Sequence, residues 1–379
     1  MRPKKVLFVM NSLWGGGAER VFQTLISHLD LSRYDVTVCS VNEAEVRAPY
    51  PLSGVRYTHI FGQKASGRVT RLMEKISNRI KLAVYYHLNP CIFRRLFIRD
   101  NYDIEIAFIE GYATRIVSGS TNRKTKRLAW VHIDLEKNPW TKIAYRNAEE
   151  ETECYCRFNN VYAVSDDVGQ TMRRLFPGIH DISVIHNPID AEGIRKLSED
   201  VIPERRQEMH LISIGRLEHQ KGYDRLLPIL KKLKDNGLIF TMTILGEGSQ
   251  HTDLQQYINE NGLNDIVKLI GFSDNPYPIL RTADLFVCSS RTEGYSTAVT
   301  EALVLGVPVI TTDCTGMSEL LDGDNGGMIV ENTEQALYNG LEKMLINHDL
   351  LEIYRHKAIK RGKSFTLAPL MRKIEEVLG

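Results

Sequence analysis

Residues 211–224 read Leu-Ile-Ser-Ile-Gly-Arg-Leu-Glu-His-Gln-Lys-Gly-Tyr-Asp. The opening four form a short apolar run closed by Gly215, the pattern of a buried strand ending in a turn. Arg216 and Lys221 follow, five positions apart, before an amphipathic stretch over 224–235. Parallel sheets bind ligands outside the carboxyl ends of their strands, so two cations placed there can converge on one ligand in a crevice. A guanidinium fork and a compact ammonium suit two neighbouring phosphates. A solvated loop is the competing reading of these residues.

The same alternation continues on both sides. Toward the carboxyl end, apolar runs at 240–245, 267–270, 285–288 and 309–311 are interleaved with helical patterns at 249–261 and 297–305. Toward the amino end, runs fall at 6–10, 36–39, 55–60, 104–108, 128–131, 161–164 and 182–185. Strands separated in this way indicate βαβ units and parallel sheets. Asn187-Pro188-Ile189-Asp190 breaks the series, because proline turns its predecessor away from helix, and a polar segment runs on to Glu208. The expected fold class is α/β: two Rossmann-like doubly wound domains facing across a cleft, over 1–189 and 190–379. Helical patterns at 334–345, 350–361 and 368–378 close the chain, the last helix (about 366–379) being expected to pack back on the first domain.

With 43% hydrophobic and 25% charged residues, the 379-residue chain has the make-up of a globular protein able to bury two cores. No apolar run nears the roughly 20 residues of a membrane span. The basic start at Arg2, Lys4 and Lys5 leads only to the apolar run 6–10, too short for a signal-peptide core. A cytoplasmic protein is therefore expected, with cysteines 39, 91, 154, 156, 288 and 314 reduced and showing no metal-ligand spacing.

The net charge of +1 hides an asymmetry: 27 Lys/Arg against 19 Asp/Glu over 1–189, and 21 against 28 in the remainder. Residues 64–99 hold nine basic residues and one acid, Glu74. There Arg68, Arg71, Lys75, Arg79 and Lys81 interleave with Val69, Leu72, Ile76, Ile80 and Val84, followed by Tyr85, Tyr86, Phe93 and Phe97 near Arg94 and Arg95. Such a surface can rest on anionic lipid headgroups at the inner face of the cytoplasmic membrane. A solvated face beside a core stripe is the other reading. Nucleic acid is not expected as a partner, because no binding motif accompanies the charge.

Two further segments carry chemistry. Trp14-Gly15-Gly16-Gly17-Ala18-Glu19-Arg20 joins a strand to a helix, where glycines admit a close ligand and free N–H groups favour an anion. It is not a dinucleotide fingerprint: Arg20 stands where the third glycine belongs, and the second strand ends in Cys39-Ser40 without an acid for a ribose. A plain turn is the alternative. Glu293-Gly294-Tyr295-Ser296-Thr297-Ala298-Val299-Thr300-Glu301 places one carboxylate in a loop and another on the following helix. A helix starting near Ser296 would aim its N–H groups at a diphosphate, Glu301 can accept from ribose hydroxyls, and Glu293 from sugar hydroxyls. Ordinary surface acids remain the alternative.

Gly-Arg-Leu-x(3)-Lys-Gly at 215–222 with Glu-x(7)-Glu at 293–301 closely resembles the family-4 retaining glycosyltransferases of the GT-B fold (glycosyltransferase group 1). The likeness runs nearly the whole chain: Gly-Gly-Gly-Ala-Glu-Arg at 15–20, the boundary at 187–190, and Gly-Val-Pro-Val-Ile at 306–310 with Gly316 and Glu319 match in order and type.

The resemblance implies that Arg216 and Lys221 neutralise a donor diphosphate, with backbone contacts from Gly16 and Gly17. By the same resemblance Glu301 holds the nucleotide ribose and Glu293 the transferred sugar. The backbone near Phe272 faces the base, and that of Tyr295, Ser296 and Thr297 meets the phosphate or sugar. His132, after the strand at 128–131, resembles the histidine near the anomeric carbon and the sugar C6 hydroxyl, a purely structural histidine being the alternative.

The implied reaction moves a hexose-type sugar from a nucleoside diphosphate, expected to be UDP, with retention, to a glycan or lipid-linked saccharide in surface polysaccharide or glycoconjugate synthesis. Its barrier is charge building on the departing phosphate, which Arg216, Lys221 and a helix dipole can stabilise, so no metal or other cofactor is expected. Asp322-Gly323-Asp324 has the spacing of a metal motif but reads as turn chemistry. A non-catalytic sugar-nucleotide-binding subunit and a sugar-nucleotide epimerase are the alternative functions.

Overall fold

The computed structural model describes residues 2–13, 15–42, 52–62, 68–199 and 208–379, with the side chains of 68–72, 74 and 75 left aside. Trp14, Lys64 and most of the polar segment before Glu208 lie outside the described residues. The chain divides into two compact units, Met1–Pro188 with Pro369–Gly379, and Ile189–Ala368.

The first unit holds β1 (Lys4–Met10), β2 (Tyr34–Asn42), β3 (Arg56–Phe61), β4 (Ile104–Ala107), β5 (Lys126–Val131), β6 (Asn160–Ala163) and β7 (Ile182–Val184). They pair in the order β3-β2-β1-β4-β5-β6-β7, parallel throughout. Both faces of such a sheet are covered by helices, so central strands need apolar residues at consecutive positions. That is why Val6 to Met10 form an unbroken run, each at most 1% exposed, with Val6 opposite Val36 and Ile104. Within this unit, residues 369–379, which are most of the final helix (Leu367–Leu378) and the residue after it, bury Met371, Ile374 and Leu378. They also take Lys126 Nζ on the Val377 carbonyl and Arg33 on Glu375, each at 2.7 Å. Lys126 opens β5 and Lys4, which also reaches the Leu378 carbonyl, opens β1, so this helix closes the amino ends of the strands.

The second unit holds β8 (Met209–Ile214), β9 (Phe240–Leu245), β10 (Val267–Leu269), β11 (Leu285–Cys288), β12 (Val309–Thr312) and β13 (Met328–Val330). Their order is β10-β9-β8-β11-β12-β13, again all parallel. The strand order reverses between β1 and β4 in one sheet and between β8 and β11 in the other, and the carboxyl ends beside such a reversal are where sheets of this kind bind ligands. Strand β13 is absent from the sequence reading: three residues after Gly326-Gly327 are too few to show a period, and pairing with β12 through Ile310 and Met328 makes the strand. Asp322 adopts φ 55° and ends the helix Met317–Leu321, so Asp322-Gly323-Asp324 is a turn.

The basic segment folds into helices Arg68–His87 and Pro90–Phe97, and this corrects part of its reading as a surface. Tyr85 and Phe93 are core residues, at 0% and 1% exposure. Arg94 turns inward to pair with Glu105 at 2.6 Å, because a carboxylate fully buried on β4 requires a counter-charge. Lys81 Nζ is held on the Ile60 carbonyl at 2.6 Å. Among the described side chains of the segment, the large apolar ones left outward are Met73, Ile76, Ile80, Leu82, Ile92 and Leu96. Among the described residues no helix is long and apolar enough to cross a membrane.

Candidate active site

In the second unit, the loops after β8 and β11 meet at the strand-order reversal. Gly222 ends the first loop with φ 70°, and a Cβ there would stand 2.2 Å from the Ser289 carbonyl oxygen of the second, so only glycine lets the two backbones approach. This contact brings Lys221 Nζ to 2.6 Å from Glu293 Oε1, the side chains being 18% and 8% exposed. Ser290 donates its hydroxyl to the same oxygen at 2.5 Å. Gln220 Nε2 donates to the Thr292 carbonyl at 3.0 Å, and Arg291 forks onto Asp224 at 2.7 and 2.8 Å. The loops are therefore knitted by both backbone and side chains.

Arg216, by contrast, is exposed and reaches Gln220 Oε1 at 3.5 Å. Burial works to raise the neighbouring Glu218 carboxyl, but two hydrogen bonds from Ser249 and the Arg216 charge outweigh it and hold that carboxyl below its usual range. The structure thus puts Lys221 and Glu293 in direct contact and leaves the Arg216 guanidinium exposed, with Gln220 and Glu218 as its neighbours.

Ser296 caps the helix Thr297–Val304, its hydroxyl accepting from the Val299 N–H. Glu301, one turn on, is 3% exposed and accepts from the Tyr277 hydroxyl at 3.1 Å. Glu293 and Glu301 are thus not ordinary surface acids, since an unneeded carboxylate is not kept in a core. Tyr295 is also buried, its phenol turned to Arg361; burial pushes that phenol up to about 12 against the opposing effect of Arg361. Phe272 is half-buried, one residue beyond Gly271, whose carbonyl accepts from the Gly246 N–H at 2.8 Å.

In the first unit, the loop Gly15–Gly17 follows β1 and opens the helix Gly17–Ser27, with Gly16 as its cap. The Glu19 carboxylate lies over this cap: a Cβ on Gly16 would stand 2.3 Å from its Oε2, and Ser12 donates to its Oε1 at 3.0 Å. The helix start is thereby complemented by the chain's own anion. His132 follows β5 and its Nε2 lies 2.8 Å from the Phe108 carbonyl, which assigns the proton to Nε2 in the neutral ring. Burial brings this imidazole down to about 4, opposed by the Phe108 carbonyl and Asn187. The His132 N–H donates to Glu110 Oε2 at 3.1 Å.

Glu110 was not singled out in the sequence, nor were Asp224, Arg225, Arg291 and Asn332. Glu110 is 4% exposed, and burial raises its carboxyl against the N–H donors of His132, its own backbone and Trp140. A single acid after an apolar run has no spacing to mark it. Arg225 lies on the inward face of a helix, where an arginine breaks the apolar pattern, and that break is the signal available for it.

Two parallel α/β units, each reversing its strand order beside its first strand, define the GT-B class of folds. A solved structure of Anabaena Alr3699/HepE in complex with UDP-glucose has that fold and matches 99% of both chains at 18% identity, with a TM-score of 0.76. The family described as glycosyl transferases group 1 matches residues 195–365, and that described as glycosyltransferase family 4 matches residues 15–192. The chain belongs to the group 1, family 4 glycosyltransferases.

A curated relative, the N-acetylgalactosamine-N,N'-diacetylbacillosaminyl-diphospho-undecaprenol 4-alpha-N-acetylgalactosaminyltransferase of Campylobacter jejuni, is 32% identical over 192 residues, 50% of this chain. That match spans about half of the relative's own length, 51%. The amylovoran biosynthesis glycosyltransferase AmsD of Erwinia amylovora is 22% identical over 372 residues, 96% of each chain.

Proposed function

We propose that the protein transfers a hexose-type sugar from a nucleoside diphosphate, UDP in the first instance, to a saccharide or lipid-linked saccharide acceptor in polysaccharide or glycoconjugate synthesis. The observation that carries this reading is the buried Lys221–Glu293 pair at the reversal between β8 and β11. Such a pair is costly to desolvate and contributes little to stability by itself, so its retention in a ligand crevice argues for use in binding. Of the relatives named above, the one named for a diphospho-undecaprenol-linked saccharide supports this class of acceptor, and the one named for amylovoran biosynthesis supports glycosyl transfer in a biosynthetic pathway.

In this reading the anomeric C–O bond to phosphate breaks and a bond to an acceptor hydroxyl forms on the same face. The acceptor proton passes to the leaving phosphate. Lys221, Arg216 and the N–H groups at the start of Thr297–Val304 receive the charge that develops there, without a metal. Glu301 holds the ribose, Glu293 the sugar hydroxyls, and the backbone near Phe272 and over 295–297 the base and phosphates. Gly16, Gly17 and His132 belong to the part of the chemistry carried by the first unit.

The outward apolar residues Met73, Ile76 and Ile80, beside Arg79, favour peripheral contact with anionic lipid, as a lipid-linked acceptor would require. Incubating the purified protein with a panel of nucleotide sugars and undecaprenyl diphosphate-linked saccharides tests the function. The expected result is release of the nucleoside diphosphate with a product heavier by one hexose-type residue in mass spectrometry. Tight donor binding without any release or product would identify a binding subunit instead, and release of an isomerised sugar nucleotide an epimerase.

A further inference from the structure

We propose that Arg225 and Asn332 are positioning residues that fix the 289–293 loop and thereby set where the Glu293 carboxylate stands against the transferred sugar. This inference rests on the reading of Glu293 given above. Arg225 sits in the first turn of the helix Tyr223–Asp235 and is 7% exposed. Among the described residues it makes no ion pair. Its guanidinium is committed to uncharged oxygens: Nε donates to the Ser289 carbonyl at 3.0 Å, and Nη2 reaches the carbonyls of Ser289 at 2.7 Å and Ser290 at 2.9 Å and Asn332 Oδ1 at 2.7 Å. Burying a guanidinium without a carboxylate in contact is unfavourable, and burial accordingly lowers its basicity. A neutral side chain would fill the space at less cost, so the arrangement points to the specific geometry of the fork.

The fork holds two successive carbonyls, those of Ser289 and Ser290, and Asn332 holds the third. Asn332 turns its Nδ2 to the Arg291 carbonyl at 3.0 Å while accepting from Arg225, and Thr312 donates to the Ser290 carbonyl at 2.6 Å. Residues 289, 290 and 291 are thus each gripped through the backbone by side chains from the helix after β8, the end of β12, or the second residue beyond β13. Both members of the candidate pair hang from this platform. Ser290 donates to Glu293 Oε1, and Ser289 donates to the Lys221 carbonyl at 2.8 Å. A displacement of about 1 Å in a group that orients substrate can lower a rate on the order of a hundredfold. Lysine in place of Arg225 keeps the charge but supplies a point donor where several directions are needed.

The experiment is a double-mutant cycle on kcat, with UDP affinity measured by calorimetry on the same proteins: Arg225→Lys, Asn332→Ala and Glu293→Gln, singly and combined. The expected result is a loss in kcat of at least about tenfold for Arg225→Lys and a smaller loss for Asn332→Ala, with the Kd for UDP alone within about threefold of wild type. In the Glu293→Gln background Arg225→Lys should take away less than about a further threefold, because the group it positions is already neutralised. Wild-type kcat in Arg225→Lys, or its full loss repeated on top of Glu293→Gln, would overturn the positioning role. Should the Arg225 variant fail to fold, Asn332→Ala carries the same cycle, removing the bonds to Arg225 and to the Arg291 carbonyl while the Arg225 fork stays on Ser289 and Ser290. Wild-type kcat in Glu293→Gln alone would instead overturn the reading of Glu293 as the sugar contact, which separates the two failures.

Discussion

Replacing Lys221 by methionine keeps most of the side-chain volume and removes the charge that stands 2.6 Å from Glu293. Exposed ion pairs contribute about 0–1 kcal/mol, whereas removing one partner of a buried pair costs about 3–5 kcal/mol because the other charge is left uncompensated. At 18% and 8% exposure this pair lies near the buried limit but opens to water at the lysine end. A loss of about 2–3 kcal/mol in the second unit is therefore expected, read from amide exchange in β8 and β11. Adding Glu293→Gln should restore part of it, since no buried carboxylate is then left alone.

The effect on turnover follows from the same charge. A cation about 4 Å from a phosphate oxygen at an effective dielectric of about 20 interacts by about 4 kcal/mol. Glu293 and water discount this, leaving at least about 1.4 kcal/mol of barrier, or tenfold in kcat. The assay is nucleoside diphosphate release at saturating donor, with the exchange experiment showing that the variant is folded. A folded Lys221→Met protein with wild-type kcat would refute the assignment of Lys221 to the departing phosphate.

Glu301→Ala removes a carboxylate that is 3% exposed and is expected to weaken UDP binding by about 1.5–3 kcal/mol, the range for hydrogen bonds to a charged group; an unchanged Kd by calorimetry would take Glu301 out of the site. Gly222→Ala forces a side chain into φ 70° and against the Ser289 carbonyl, so a loss of at least about 1–2 kcal/mol is expected. A thermal midpoint equal to that of wild type would contradict the close approach of the two loops.

His132 titrates near 6.5 when unfolded and is brought down to about 4 by burial, so the unfolded chain binds the extra proton between those values. Its contribution is present in full above pH 6.5 and falls as the pH is lowered toward 4, by up to about 3 kcal/mol. Unfolding of wild type and His132→Gln followed from pH 7 to 4 should show the two stabilities converging, and parallel curves would argue against a buried neutral ring. Arg79→Glu combined with Ile80→Asp should reduce binding to anionic vesicles while donor hydrolysis persists, and unchanged sedimentation with vesicles would leave that face as a solvated one.

The two sheets were legible in the sequence because buried parallel strands are written as consecutive apolar residues, as in Val6 to Met10 and 211–214. The short strand β13 was not, since its three residues gain their character only by pairing with β12. Lys221 and Glu293 were marked by spacing within turns, and the contact between them follows from Gly222, whose role needs the Ser289 carbonyl from a distant loop. Arg94 shows the opposite case. Its place in a basic run suggested a surface, and only the burial of Glu105, which no local pattern records, explains why it turns inward. Arg225 left only the break in the apolar face of its helix, and Asn332 and Glu110 left less, because the Arg291 carbonyl and the His132 N–H they bind are backbone groups distant in sequence that leave no mark in composition.

The central claim is that the crevice beside β8 and β11 receives the nucleoside diphosphate. Amide hydrogen exchange of the whole protein, with and without saturating UDP, addresses it directly. The expected result is slowed exchange at 215–222 and 289–301, reduced in Lys221→Met and Glu301→Ala. Exchange unchanged in both segments, with protection arising elsewhere in the chain, would contradict the claim.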